Sequence, residues 1–203
     1  MQLNRAHYLH HTLLLCLAVG GLGMNIALAG TQMYQPLSAS VRTALHQSIA
    51  DQGSSKSAFT SGQEETVWVQ EMSQRFRLDK RMPDEATRRD FLKTVHYEAT
   101  RAGLDPHMVL GLIQVESRFK KYAVSRAGAR GFMQVMPFWV GLIGAPQDNL
   151  FHLNVNLRYG CTILRHYLDM EKGDLYRALG RYNGSLGQPG YPNLVNAAWQ
   201  NSR

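Results

Sequence analysis

Cysteine is scarce. The 203 residues hold two, Cys16 and Cys161. Cys16 sits in an N-terminal apolar run, so a chain that sheds this run keeps one thiol and cannot close an internal disulfide. Its stability must come from packing. In NLRYGCTILRHYL, with apolar residues on more than one side of a helix, Cys161 is expected as a small core residue rather than a nucleophile. Period-two alternation over a strand's length is also missing, which removes the usual mark of a half-buried sheet. There is no internal repeat, no recognisable nucleic-acid motif and no basic run interleaved with aromatics. With 44% hydrophobic and 18% charged residues, the composition excludes a collagen, a coiled coil or a wholly disordered chain.

An unbroken membrane-spanning stretch is lacking too. The run TLLLCLAVGGLGMNIALA is interrupted by Gly20, Gly21, Gly23 and Asn25, and Cys16 follows Leu15 where lipidation needs a small residue. What is present is a basic start at Arg5, an apolar centre, and Ala27-Leu28-Ala29 before Gly30. These mark residues 1–29 as a secretory signal peptide cleaved after Ala29, with an uncleaved anchor as the alternative. The formal charge of +7 and pI of 9.6 favour acidic partners. For an exported protein these are an anionic envelope polymer or membrane surface rather than nucleic acid, with solubility alone as the plain alternative.

Residues 30–66 read as a weakly ordered linker, because GSSKSAFTSGQEE is rich in Ser and Gly and little aliphatic periodicity surrounds it. From Val67 the pattern is helical. Pro83, Asp84 and Glu85 open a helix that Gly103 closes, with Phe91, Val95 and Ala99 as its stripe. Asp105 and Pro106 open the next. Pro137 starts a short helix ended by Gly144, residues 154–172 form a long one stopped by Gly173, and Asp174 caps another through Leu179. RYNGSLGQPGYP reads as a loop before a final short helix to Trp199. Residues 67–203 are thus expected to be one all-α domain of short helices around a single core.

Within GLIQVESRF (residues 111–119), Glu116 shares its helical sector with Val109, Leu112 and Ile113. A charge on an apolar face is explained by a structural ion pair, or by a function that uses a desolvated acid. Position alone favours the first. A carboxylic acid that stays protonated is what glycosidic cleavage needs, since the leaving oxygen departs poorly unless protonated. Downstream, SRAGARG and GFMQ form a small-residue segment, read as flexible. It leads to Gln134, whose amide suits sugar hydroxyls and acetamides, with Met133 and Met136 as adaptable apolar contacts. RYNG sets Tyr182 beside Asn183, although Tyr-Asn-Gly is first of all a turn.

In this order the pieces resemble a known family. They are Glu116-Ser117, the run from Ser125 to Pro137 (SRAGARGFMQVMP), Asn156 with Gly160, Ala178, and Tyr182-Asn183. This pattern is similar to the soluble-type lytic transglycosylases, relatives of goose-type lysozyme, over about residues 85–200. Phe132 stands where the family usually has Leu or Ile, Ser185 where Gly is common after the Tyr-Asn pair, and His152-Leu153 where Asp-Pro is frequent. The resemblance implies a mainly helical, lysozyme-like fold and the glycan strand of peptidoglycan as substrate. It further implies that Glu116 is the catalytic acid/base, and that Ser117, Met133, Gln134, Tyr182, Asn183 and Tyr191 (in GYPNLV) line the groove.

Ordinary glycosidases use two carboxylates, and here Asp105, Asp148, Asp169 and Asp174 each have a simpler part as a cap or surface charge. The lytic mechanism implied by the resemblance needs only one, because the substrate's 2-acetamido group assists. It cuts between N-acetylmuramic acid and N-acetylglucosamine without water and leaves 1,6-anhydromuramyl ends. A lysozyme-type hydrolase with the same Glu is the alternative, and a non-catalytic wall-binding scaffold is a third class. The resemblance calls for no cofactor or metal. It fits a periplasmic monomer, and leaves open an envelope or secretion-apparatus partner.

Overall fold

The computed structural model describes residues 32–51 and 59–201. The expected signal segment, residues 1–29, lies outside the described residues. Short polar side chains set most helix starts by accepting the orphan N–H groups of a first turn. Ser38 caps α1 (Ala39–Ala50), Ser61 caps α2 (Gly62–Arg75) and Asp84 caps α3 (Glu85–Arg101). Asp105, followed by Pro106 at the first helical position, caps α4 (Pro106–Glu116). Next come the short α5 (Phe138–Ile143) and α6 (Leu153–Met170). Asp174 caps α7 (Leu175–Asn183), and α8 (Gly190–Gln200) ends the described chain. A single 3-10 turn, Leu78–Lys80, follows α2.

Among the described residues there is no strand, only isolated bridges joining Arg130 to Val124 and to Val135, so the all-α expectation holds. No described helix is long and apolar enough to cross a membrane. The centre of the core is α4, whose Val109, Leu110, Leu112 and Ile113 have no exposed surface. Burying each such side chain contributes roughly 1.5–3 kcal/mol. Helices α3 and α8 pack directly on it, and α6 and α7 close the core behind them. Cys161 lies in this core, its thiol pushed up in pKa by burial first and by the charge of Glu98 second.

The reading of residues 30–66 as a weakly ordered linker needs correction. Within it α1 packs on α5 and α6, burying Leu45 and Ile49. The carbonyls at its end are held from the core. Glu98, 1% exposed, accepts from Arg101 Nε at 2.8 Å and from Arg158 Nε and Nη2 at 3.0 and 2.8 Å. Each guanidinium then donates onward, Arg101 to the Ser48 carbonyl (3.0 Å) and Arg158 to that of Asp51 (2.6 Å). A buried charge network therefore fastens α1 to the domain. Residues 52–58 of the Ser/Gly stretch lie outside the described residues.

Candidate active site

Glu116 is the last residue of α4. At Gly111 this helix approaches α8 so closely that a Cβ would meet the Trp199 backbone nitrogen at 2.9 Å. That close crossing brings Glu116 to Tyr191, in the first turn of α8. Tyr191 donates its hydroxyl to Glu116 Oε1 at 2.5 Å, and both residues are buried. Burial, then the carboxylate beside it, then this hydrogen bond hold the Tyr191 pKa well above its ordinary value. Its hydroxyl therefore remains a donor at any ordinary pH. Tyr182, in the last turn of α7, is likewise raised, by burial first and Glu116 second. Its hydroxyl donates to the Met133 carbonyl at 2.8 Å. Glu116, Tyr182 and Tyr191 thus form one electrostatic cluster, with Tyr182 and Tyr191 placed in helices where a loop was expected.

The backbone leaves Glu116 in an unusual way. Ser117 turns its hydroxyl back to the Ile113 carbonyl (3.2 Å), and Arg118 and Phe119 then adopt positive φ of 50° or more, at 53° and 63°. Neither is glycine, so each costs about 1–2 kcal/mol. Packing offsets this cost. Phe119 is buried edge-on against Phe76 and Phe91, with ring centroids 5.5 and 6.0 Å away. Arg81 lies over its ring and donates to the Arg118 carbonyl at 3.1 Å.

The segment read as flexible is cross-braced. Gly131 N–H donates to the Ala123 carbonyl, Arg130 and Val135 exchange two backbone bonds, and the Ala129 N–H reaches Ser125 Oγ at 3.1 Å. Asn156, 1% exposed on α6, is the hub beneath it. Its Nδ2 donates to the Arg130 and Leu150 carbonyls (2.9 and 2.8 Å), and its Oδ1 accepts from Met133 N–H (2.8 Å). Gly131, at φ 74°, is required here, since a Cβ would stand 2.4 Å from Asn156 Nδ2. Gln134 sends its Nε2 to the Ala123 and Gly131 carbonyls at 3.1 and 2.9 Å. Its amide donors thus brace the loop. Met133 is fully buried against Gly160, where a Cβ would stand 2.3 Å from its sulfur. Ser117 and Asn183, both buried, adjoin Glu116 and Tyr182 along the chain.

One residue at this site went unseen in the sequence. Gln32, 4% exposed, accepts from the Trp139 indole at 2.9 Å and more loosely from Met136 N–H at 3.5 Å, and lies within hydrogen-bonding reach of Tyr182. A glutamine in a polar stretch carries no signal of such a role. The four aspartates each have a partner of their own. Asp105 and Asp174 cap helices, Asp148 accepts from the Tyr159 hydroxyl (2.5 Å) and Ala145 N–H (3.0 Å), and Asp169 pairs with Arg165. No group of three or more potential metal ligands is gathered among the described residues.

Residues 93–191 match the family model described as the transglycosylase SLT domain. A membrane-bound lytic murein transglycosylase C of Actinobacillus pleuropneumoniae (serotype 5b, strain L20) is 46% identical over 57 residues, 28% of this chain and 16% of that protein. A transglycosylase of Enterobacteria phage PRD1 is 33% identical over 96 residues, 47% of this chain and 35% of that one. The solved lytic transglycosylase Slt of Pseudomonas aeruginosa is 25% identical, with a TM-score of 0.42 over 62% of this chain and 22% of its own. The chain therefore spans between about a sixth and about a third of the curated relatives named here. The matched segment runs from α3 to Tyr191 and contains Glu116, the braced loop, Asn156 and the Tyr182-Asn183 pair, and over it the chain is similar to the transglycosylase SLT domain.

Proposed function

We propose that this chain is a peptidoglycan lytic transglycosylase with Glu116 as its single acid/base. The observation that carries this is the buried Glu116 carboxyl receiving the Tyr191 hydroxyl at 2.5 Å beside Tyr182. Glu116 gives its proton to the oxygen joining N-acetylmuramic acid to N-acetylglucosamine, and the C1–O bond breaks. The acetamido oxygen of the muramic residue closes on C1. The C6 oxygen then displaces it, and its hydroxyl proton returns to Glu116. No water is consumed, and the internal attack gains from high effective molarity.

Tyr191 takes part in this cycle. Once Glu116 has lost its proton, the tyrosine hydroxyl becomes a charge-assisted donor, a bond roughly twice as strong as its neutral counterpart. Stabilisation that appears as charge develops is the kind that accelerates a reaction. Tyr182 and Asn183 lie near the reacting sugar, while Ser117, Met133 and Gln134 shape the groove wall, the last two through the braced loop. The structural engagement of Asp105, Asp148, Asp169 and Asp174 supports the lytic course over a lysozyme-type hydrolysis that needs a second carboxylate. The chain is exported by cleavage after Ala29 and acts at the periplasmic envelope as a monomer, a setting in keeping with relatives named membrane-bound.

Mass spectrometry of digested sacculi tests this. Anhydro ends, one water lighter than reducing ends, are expected from the wild type and absent with Glu116→Gln. Reducing ends alone would instead identify a hydrolase.

A further inference from the structure

Between Glu116 and Asp148 the chain carries no acidic residue, yet it carries Arg118, Lys120, Lys121, Arg126 and Arg130. All five are exposed, and none enters an ion pair among the described residues. The sequence reading found no basic run interleaved with aromatics, but the fold assembles one. Tyr122, 70% exposed, meets the ring of Phe151 at 5.8 Å from the far side of the loop. Lys121 lies over the Tyr122 ring at 5.3 Å and Arg130 over that of Phe151 at 5.9 Å. Such contacts attract a cation to the face of an aromatic ring. They also lay the two cations along rigid rings, and both residues stay exposed.

This surface is the outer side of the loop whose inner side holds Met133 and Gln134. Arg130 is tied by its carbonyl to Asn156, whose Oδ1 holds Met133, and the Met133 carbonyl takes the Tyr182 hydroxyl. The surface is thus joined through Asn156 and Met133 to Tyr182, the neighbour of Glu116. We propose that the Tyr122–Phe151 pair with Lys120, Lys121, Arg126 and Arg130 is a docking surface for the acidic peptide branches of the glycan strand. On this view the enzyme prefers peptide-bearing strands to stripped ones. The proposal rests on the transglycosylase reading for its substrate. Arginine and lysine are matched to carboxylates, Arg in a bidentate fork and Lys as a point charge. Insertion into a lipid surface would call for apolar tips free of charge, whereas here the cations cover the ring faces.

The test uses the full chain carrying Glu116→Gln, which binds without cutting, and soluble glycan strands prepared with their peptides or stripped by an amidase. Peptide-bearing strands are expected to bind about tenfold tighter at low salt, with the advantage shrinking as ionic strength rises. Adding Lys121→Glu and Arg130→Glu should abolish the difference while leaving the stripped-strand affinity in place. The neutral pair Lys121→Gln and Arg126→Gln, which keeps Arg130 over Phe151, should lose part of it. Equal affinities for both strands, or a preference that survives charge reversal, overturns the proposal. So does binding to phosphatidylglycerol vesicles that falls in step with the same variants, because it assigns the surface to lipid. Product analysis of the wild type separates the two readings. Anhydro ends without a strand preference remove this proposal alone, and a preference without anhydro ends removes the transglycosylase reading alone.

Discussion

Two glutamates are buried in neighbouring helices, and their surroundings differ. Glu98 on α3 is gripped by two guanidiniums, and those arginines hold the end of α1. Glu116 on α4 receives a neutral phenol from α8. Both follow apolar residues at helical spacing, Glu98 after Phe91 and Val95 just as Glu116 comes after Leu112 and Ile113. The helical counting that singled out Glu116 applies equally to Glu98, where the structural explanation is the correct one. Burial does not distinguish the two carboxylates; the partner's charge does.

The sharpest break of this comparison is Glu98→Gln. It leaves Arg101 and Arg158 buried without their counter-charge, and breaking a buried pair costs about 3–5 kcal/mol. Chemical denaturation should report that loss, with the specific activity of the surviving folded fraction retained. Glu116→Gln should do the reverse. Turnover of sacculi falls by on the order of 10²-fold or more, as loss of a general acid predicts, while the denaturation midpoint stays near wild type. If Glu98→Gln abolished turnover in folded protein, the division of labour would be wrong.

Tyr191→Phe is next. Losing one hydrogen bond to a charged group, worth about 1.5–3 kcal/mol, should reduce kcat by roughly tenfold to a hundredfold and leave KM close to wild type. Alkaline titration sharpens the same point. Tyr182 and Tyr191 have folded pKa values well above 10.0, and burial pushes Tyr167 up to about 12. An unfolded chain would ionise these phenols near pH 10 while the folded one keeps them protonated. The unfolded state then binds fewer protons and stability falls as pH rises above about 10. In Tyr191→Phe the slope of stability against pH should be shallower by one proton's worth, about 1.4 kcal/mol per pH unit. The smallest effect is assigned to Gln32→Ala, which removes the acceptor of the buried Trp139 indole and should cost about 1–3 kcal/mol in stability. A change in Trp139 fluorescence would accompany it.

Much of the fold could be read beforehand. Asp105 and Asp174 were recognisable as caps and Asp84 as part of a helix start; α3 and α4 run close to their expected limits, while α7 continues past Leu179 to Asn183. The stripe of Leu37, Val41, Leu45 and Ile49 at intervals of four was equally visible, but the Ser/Gly content nearby masked it, and α1 was read as linker. The positive φ at Arg118 and Phe119 could not be foreseen, because no glycine announces it and the packing of Phe119 with the contacts of Arg81 maintains it. Gln134 offered an amide, and only the folded loop showed that its donors face two carbonyls within the loop.

By itself the sequence determined the helical class, the positions of the caps, and a buried carboxyl at the end of one apolar helix, because these depend on residues within a few turns of one another. Tertiary structure decided what lies against each carboxyl. Tyr191 is 75 residues from Glu116 and Arg158 is 60 from Glu98. No local periodicity carries information over such separations, and whether a buried acid meets a phenol or a guanidinium is set by which helices cross.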